Sequence, residues 1–345
     1  MPQCIYCGRE GPVREFNREH VLPRAFGHFQ NAPTLTSGRR YRVCRVCNQQ
    51  LGDQVDVVLA RGSIEAALRV MRGLVPPDDL GRLNYDRIAV SLPSGHPLFP
   101  MLLRFVPGPD GSGISTSAAS QLRLSIENGP LQCIPEHRIG ANLPSLLKRG
   151  RPSNIGVFWW NGDPAAPKRI QDKATAAGLS NRDWNAIVDE SQKQQVQVDV
   201  NFDFTIDAPI LRAIAKIAFE YFVWAIEPVA AHLIRIDSLR PIRMFILAGD
   251  GDSRAFVKPT NASLLRRETT TLRRTQSHIL TLDWGYQPGS PVVGGVALFN
   301  DLSYHVRISE ALSPIWQDID HGHHFDPSTG RISALAHGRF VQPAW

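Results

Sequence analysis

No stretch of this chain approaches the roughly eighteen uninterrupted apolar residues that cross a bilayer. Its first residues, MPQCIYCGRE, do not form a basic segment leading into an apolar run. A membrane protein and a secreted one are therefore not expected, and the chain reads as cytoplasmic. No glutamine/asparagine, serine or glycine tract dominates any window, and with 20% charged and 43% hydrophobic residues the composition excludes long disorder. Cysteine is scarce. Four of the five fall in two pairs, Cys4-x-x-Cys7 and Cys44-x-x-Cys47. In a reducing compartment this spacing points to a metal rather than to disulfides, because neighbouring thiolates converge on a tetrahedral ion. Cys133 stands alone and reads as a small buried apolar residue.

Large apolar residues are also few in the opening segment, which is turn-rich and cannot hold together by hydrophobic burial alone. A structural metal supplies what so small a core cannot. The length of 345 residues exceeds the usual single domain. The expected organisation is α+β: a small module over residues 1–60, then a larger α+β body over 61–345 with a candidate division near residue 200. From Asp53 the pattern turns helical, with Val55, Leu59, Ile64, Leu68 and Met71 spaced for one apolar face and Gly62 weakening the middle. RIAVSL, MLLRFV and LRLSI read as strands separated by proline and glycine clusters such as GPDGSG, and NIGVFWW as a buried strand. Residues 164–190 read as helical, with Ser180 a candidate N-cap inside them. QVQVDVNFDF alternates strictly, placing Val196, Val198, Val200, Phe202 and Phe204 on one strand face. Asp207 and Pro209 then open LRAIAKIAFEYFVWAI, apolar nearly all round, as in a helix central to the second domain. SHILTLDWG, VVGGVALFN and SYHVRIS read as a three-stranded antiparallel set, and the tail as loops.

A net charge of +6 favours a polyanionic partner only weakly, but the excess is local. Arg9, Arg14, Arg18, Arg24, Arg39, Arg40, Arg42 and Arg45 stand against Glu10, Glu15 and Glu19 in the opening segment, and the planar fork of arginine matches two phosphate oxygens. Near the C-terminus, Asp318, Asp320, His321, His323, His324 and Asp326 are of metal-ligand type, but no spacing fixes a geometry, so a solvated loop is the better reading. Arg266, Arg267, Arg273 and Arg274 suit backbone phosphate or solvent equally. Trp159 and Trp160 read as core packing rather than base stacking.

Between the cysteine pairs, Glu19-His20-Val21-Leu22-Pro23 sets a carboxylate beside an imidazole, and Asn48 directly follows the last cysteine. Two cysteine pairs alone are a folding staple common to many zinc modules. In this order, with EHVLPRAFG and CRVCNQQLG, the segment resembles the HNH endonucleases of the His-Me finger group. The resemblance implies a ββα-metal, treble-clef fold: a hairpin carries the histidine, the next helix carries the last ligand, and structural zinc on Cys4, Cys7, Cys44 and Cys47 clamps them. It further implies His20 as general base, and Glu19 and Asn48 as ligands of a catalytic Mg²⁺ or Mn²⁺. Imidazole suits the proton transfer because its ordinary pKa, about 6.5, lies near working pH, and one anionic and one neutral oxygen ligand leave an ion open to water and phosphate. Many family members have aspartate at the position of Glu19, and the family's middle asparagine has no clear counterpart, Asn31 being the nearest. The function expected is metal-dependent hydrolysis of phosphodiester bonds, in DNA ahead of RNA. The alternative is a non-catalytic zinc module that binds nucleic acid or a protein.

Overall fold

A computed structural model describes residues 1–36, 39–84, 87–95, 99–107, 114–159, 163–180, 201–235, 237–260, 264, 277–284, 291–300, 302–310 and 321–335. Packing divides the chain into two compact units, Met1–Arg69 with Ile206–Trp345, and Val70–Thr205. The units part at 69 and 205 rather than at 60, because the head packs with the C-terminal segment.

The head of the first unit holds β1 (Gln3–Cys4), β2 (Phe16–Asn17), β3 (Glu19–His20), β4 (Thr34–Leu35) and β5 (Tyr41–Cys44). β5 lies between β1, parallel to it, and β2, antiparallel to it. β3 and β4 form their own antiparallel pair, with Glu19 opposite Leu35 and His20 opposite Thr34. α1 (Arg45–Leu51), a π-helical segment over Gly52–Asp56 and α2 (Val57–Arg61) follow as one helical run, with Leu51, Val55 and Leu59 buried. The helix thus starts well before Asp53. Its first turn carries cysteine and polar residues, so no apolar period marks it. The run ends at Gly62, whose φ of −130° and ψ of 26° leave the helical region. Ser63 Oγ then accepts the Ala66 N–H at 3.1 Å to start α3 (Ile64–Met71). The break resets the phase: Ala66, Ala67 and Val70 are buried, and Met71, expected on the apolar face, is 56% exposed.

The second unit contains β6 (Ile88–Ser91), β7 (Leu102–Pro107), β8 (Ile114–Ala118), β9 (Gln121–Ile126), β10 (Gln132–Pro135), α4 (Ile139–Leu147), β11 (Pro152–Phe158), α5 (Ala166–Ala176) and β12 (Asn201–Phe204). They make two sheets, ordered β12-β6-β7-β8 and β10-β9-β11. α4 and α5 bury Ile139, Leu143, Ile170 and Ala174 with Leu122, Leu124 and Val157, and Trp159 packs against this core. The strands expected around 88, 102, 121 and 152 are present. β8 and β10 escape a pattern reading because ISTSA and QCIP carry few large apolar residues. The second half of the expected 164–190 helix, Val196–Val200, Trp160 and the arginines between 266 and 274 lie outside the described residues. A cavity of about 720 Å³ is lined by both sheets and α5. At its edge Arg169 is tied to Glu136 and Asp163 and Lys173 to Glu136, at 2.6–3.0 Å. Cys133 lines it too, and burial pushes this thiol up to about 12.

The first unit resumes with α6 (Ala208–Ala230), α7 (Arg240–Ala248), α8 (Ser253–Phe256), β13 (Val257–Thr260), β14 (His278–Trp284), β15 (Val292–Leu298), β16 (Leu302–Ser309), β17 (His321–Asp326) and β18 (Arg331–Ala334). Asp207 caps α6 by accepting the Ile210 N–H at 3.4 Å, and residues 213–223 are buried throughout. α6 is therefore the central helix expected from the sequence, but it serves the unit that contains the head. The sheet is ordered β13-β16-β15-β14-β17-β18, antiparallel at every pairing. Its middle three strands are those read from the sequence. β17 and β18 replace the expected tail loops, because backbone pairing with β14 recruits a histidine-rich segment that has no alternating pattern. No described helix is long and apolar enough to cross a membrane.

Gly294 in β15 lets α6 approach the sheet. A Cβ there would stand 2.9 Å from Ala218 Cβ and 3.3 Å from Ile308 Cδ1, closer than packed carbons sit. Gly294→Ala is expected to cost roughly 1–3 kcal/mol through overpacking. Gly140→Ala, in the open face of α4, should cost nothing or stabilise slightly. Urea unfolding of the two variants beside wild type checks the contrast.

Candidate active site

The four paired cysteines converge. Cys4 ends β1, Cys7 follows in the next turn, Cys44 ends β5 and Cys47 lies in the first turn of α1. Their sulfurs all lie within 4.8 Å of one another, and Cys7 Sγ is 3.8 Å from Cys44 Sγ. A tetrahedron of Zn–S bonds of about 2.3 Å has edges of about 3.8 Å, so the donor set fits zinc in type, number and spacing. Thiols so close cannot all ionise alone. The Cys47 side chain, with backbone N–H groups including that of Cys44, brings Cys4 down to about 5, whereas the Cys4 sulfur beside it pushes Cys47 far up. Burial raises Cys7 to about 11. A divalent cation removes that conflict by neutralising several thiolates together.

Asn48 is one residue beyond Cys47, and its amide Nδ2 donates to Glu19 Oε2. Two of the three resemblance-derived residues, separated in sequence, are thus brought together across β3 and α1. His20 occupies the next position of β3. Arg24 Nε lies 3.3 Å from His20 Nε2. Arginine only donates, so Nε2 is the unprotonated ring nitrogen and its lone pair accepts this hydrogen bond. Partial burial, then the positive charges of Arg24, Arg18, Lys216 and His28, hold His20 below its ordinary pKa. It therefore stays neutral to lower pH than a solvated histidine. Asn31 has φ of +57° and serves the turn that leads into β4.

Sequence reasoning missed the far side of Glu19. Lys216, on α6 and only 1% exposed, places Nζ 2.7 Å from Glu19 Oε1, 3.0 Å from Asp56 Oδ2 and 3.7 Å from Glu220 Oε2. Tyr6, between the first two cysteines, donates its hydroxyl to Glu220 Oε1 at 2.8 Å. Burial opposes the Lys216 charge, but Asp56, Glu19 and Glu220 outweigh it and hold the ammonium's pKa well above ordinary. Burial is also the main reason the Glu220 carboxyl is pushed well up. A signal did exist: Lys216 and Glu220, four apart, interrupt an otherwise apolar run, and charges inside a buried helix need partners.

Other candidates take structural roles. Arg39 pairs with Glu227 at 3.1 Å, and Arg42 is buried and donates to the Arg39 carbonyl at 2.8 Å, so these two do not belong to an exposed phosphate-facing set. Arg18, Arg24 and Arg45 are exposed. His323 and His324 lie in β17, where His323 Nδ1 meets the Tyr221 hydroxyl at 2.6 Å and His324 is buried. Among the described residues, the cysteines are the group placed to hold a metal. The head is pinned to the C-terminal sheet through His278. Its Nδ1 accepts the Phe299 N–H at 3.1 Å, which leaves Nε2 to donate to the Phe26 carbonyl at 2.9 Å.

Two outcomes follow from this geometry. Purified protein should carry about one zinc per chain by elemental analysis, and Cys47→Ser should lose it together with a marked fall in Tm, since a small module folds on its metal. Arg24→Ala removes the largest positive charge acting on His20, so the imidazole's NMR titration midpoint should move up toward the ordinary histidine value.

Residues 4–62 match the family model described as HNH endonuclease. No curated protein and no solved structure matches the chain. The match spans both cysteine pairs, Glu19, His20 and Asn48, so the N-terminal segment of this chain is similar to HNH endonucleases, a likeness that points to nuclease chemistry on nucleic acid.

Proposed function

We propose that the protein is a metal-dependent endonuclease that hydrolyses phosphodiester bonds in DNA, with His20 as general base. The observation that carries this reading is the meeting of Asn48 with Glu19 at the strand position beside His20. Glu19 offers an anionic oxygen there, and Asn48, which faces it with its amide nitrogen, would offer its neutral Oδ1 once the amide turns over, both next to an imidazole kept neutral. Glu19 and Asn48 would hold Mg²⁺ or Mn²⁺, which when bound supplies positive charge for the phosphate and the departing oxygen. His20 Nε2 takes a proton from the attacking water as the new O–P bond forms and the P–O3′ bond breaks. The leaving oxygen acquires a proton from solvent. Arg24, exposed and in contact with the imidazole, exchanges that contact for a phosphate oxygen when substrate arrives, and this frees the Nε2 lone pair. Arg18 and Arg45 add sequence-independent attraction for the backbone. Cysteine pairs spaced for a metal rather than for disulfides suit a reducing, cytoplasmic setting.

The test is cleavage of supercoiled plasmid, and of RNA in parallel, by full-length protein with Mg²⁺ or Mn²⁺. Wild type should nick or linearise the plasmid. His20→Ala, with zinc retained, should be slower by at least about 100-fold. Zinc-loaded wild type that binds nucleic acid but cuts neither substrate would replace this reading with that of a non-catalytic zinc module. Cleavage confined to RNA would change the substrate and leave the chemistry.

A further inference from the structure

Lys216 is buried to 1% exposure, and an ammonium at that depth costs several kcal/mol of desolvation unless its charge is met. Carboxyl groups from three elements face it: Glu19 from β3, Asp56 from the π-helical segment and, farther off at 3.7 Å, Glu220 from the next turn of α6. An apolar side chain of similar volume would often serve stability as well or better, so packing alone does not call for a lysine. Its ammonium engages Glu19 Oε1 while Asn48 engages Oε2. Asp56 Oδ1, in the same pocket, is buried and has no hydrogen-bond partner among the described residues.

Resting on the nuclease reading above, we propose that Lys216 is a positioning residue of the metal centre. Its fixed ammonium fills the inner part of the acidic pocket, orients Glu19, and confines the divalent ion to the Oε2 side, where Asn48 lies. Any cation bound by Glu19 shares that carboxylate with the ammonium, and the two positive charges repel at close range in a medium of low dielectric. The lysine therefore weakens ion binding while setting where the ion sits. Without it, Glu19 and the open oxygen of Asp56 draw a divalent ion inward, out of register with His20. The residue that sets this ligand lies 197 positions further along the chain, so the HNH segment depends on the C-terminal part of its unit for a working centre.

The experiment compares full-length wild type with Lys216→Met and with Lys216→Met/Glu220→Gln. The double variant removes the ammonium together with the most buried carboxyl beside it and so keeps the test available if the single variant fails to fold. Mn²⁺ affinity is read from free Mn²⁺ by EPR, and plasmid cleavage is measured at saturating Mn²⁺, on protein of confirmed zinc content and cooperative unfolding. The expected result is Mn²⁺ bound about tenfold or more tighter together with cleavage at least about tenfold slower, a split that simple loss of structure does not produce. Unchanged or weaker Mn²⁺ binding in a folded variant, beside a wild type that binds and cuts, would overturn the role of Lys216 alone. A wild type that neither binds Mn²⁺ nor cuts would overturn the nuclease reading, and this inference with it.

Discussion

A buried ammonium and the carboxyl groups around it join α6 to the head of the first unit. α6 is surrounded by apolar neighbours over most of its length, yet at Lys216 and Glu220 it needs charged and hydrogen-bonding partners, and Glu19, Asp56 and Tyr6 from the head supply them. Removing Lys216 would leave Glu19 and Asp56 without the buried cation that faces them. The dependence runs both ways. Glu19 has both oxygens engaged only because one donor comes from α1 and the other from α6. The head is thus a separate motif in sequence and an inseparable part of its unit in space.

The candidate zinc site and α6 divide the work of ordering the centre. The cysteine cluster ties the ends of β1 and β5 to the first turn of α1, and Asn48, one residue beyond Cys47, is fixed by that tie. β3 is not tied directly. Its pairing with β4 sets the strand, and the side-chain contacts of Glu19 set its distance from α1. The missing side chain of Gly294 lets Ala218 of α6, two residues from Lys216, lie close against the sheet.

What was legible in the sequence is what short-range chemistry specifies. Cys4, Cys7, Cys44 and Cys47 suggest a tetrahedral site by spacing, whereas Glu19, His20 and Asn48 stood out only through the resemblance to HNH endonucleases. The middle strands of the C-terminal sheet and α6 follow from period and run length. Position along the helix was harder. α1 begins among ligands with no apolar repeat to mark it, and Gly62 shifts the phase of α3, so Met71 comes out exposed. β17 was illegible because HGHHFD is held by backbone bonds to β14, which leave no trace in side-chain pattern. Lys216 and Asp56 were missed for a different reason: a contact between residues so far apart has no local signature. Only the oddity of charge inside an apolar helix could have pointed to it.

The same long-range logic bears on the arginines, which as a sequence feature look like one phosphate-binding patch. Arg39 and Arg42 are committed to Glu227 and to a backbone carbonyl, and Arg9 pairs with Glu15 at 2.7 Å, so the local positive excess exceeds the charge free to meet a ligand. Arg18 and Arg24 remain exposed and near enough to His20 to favour its neutral form. On the proposed reading one pair of charges then serves two steps. Before substrate binds, they keep the base unprotonated. Once a phosphate arrives and neutralises them, their hold on the imidazole weakens, its basicity rises, and the proton of the attacking water finds a better acceptor at the moment it is needed.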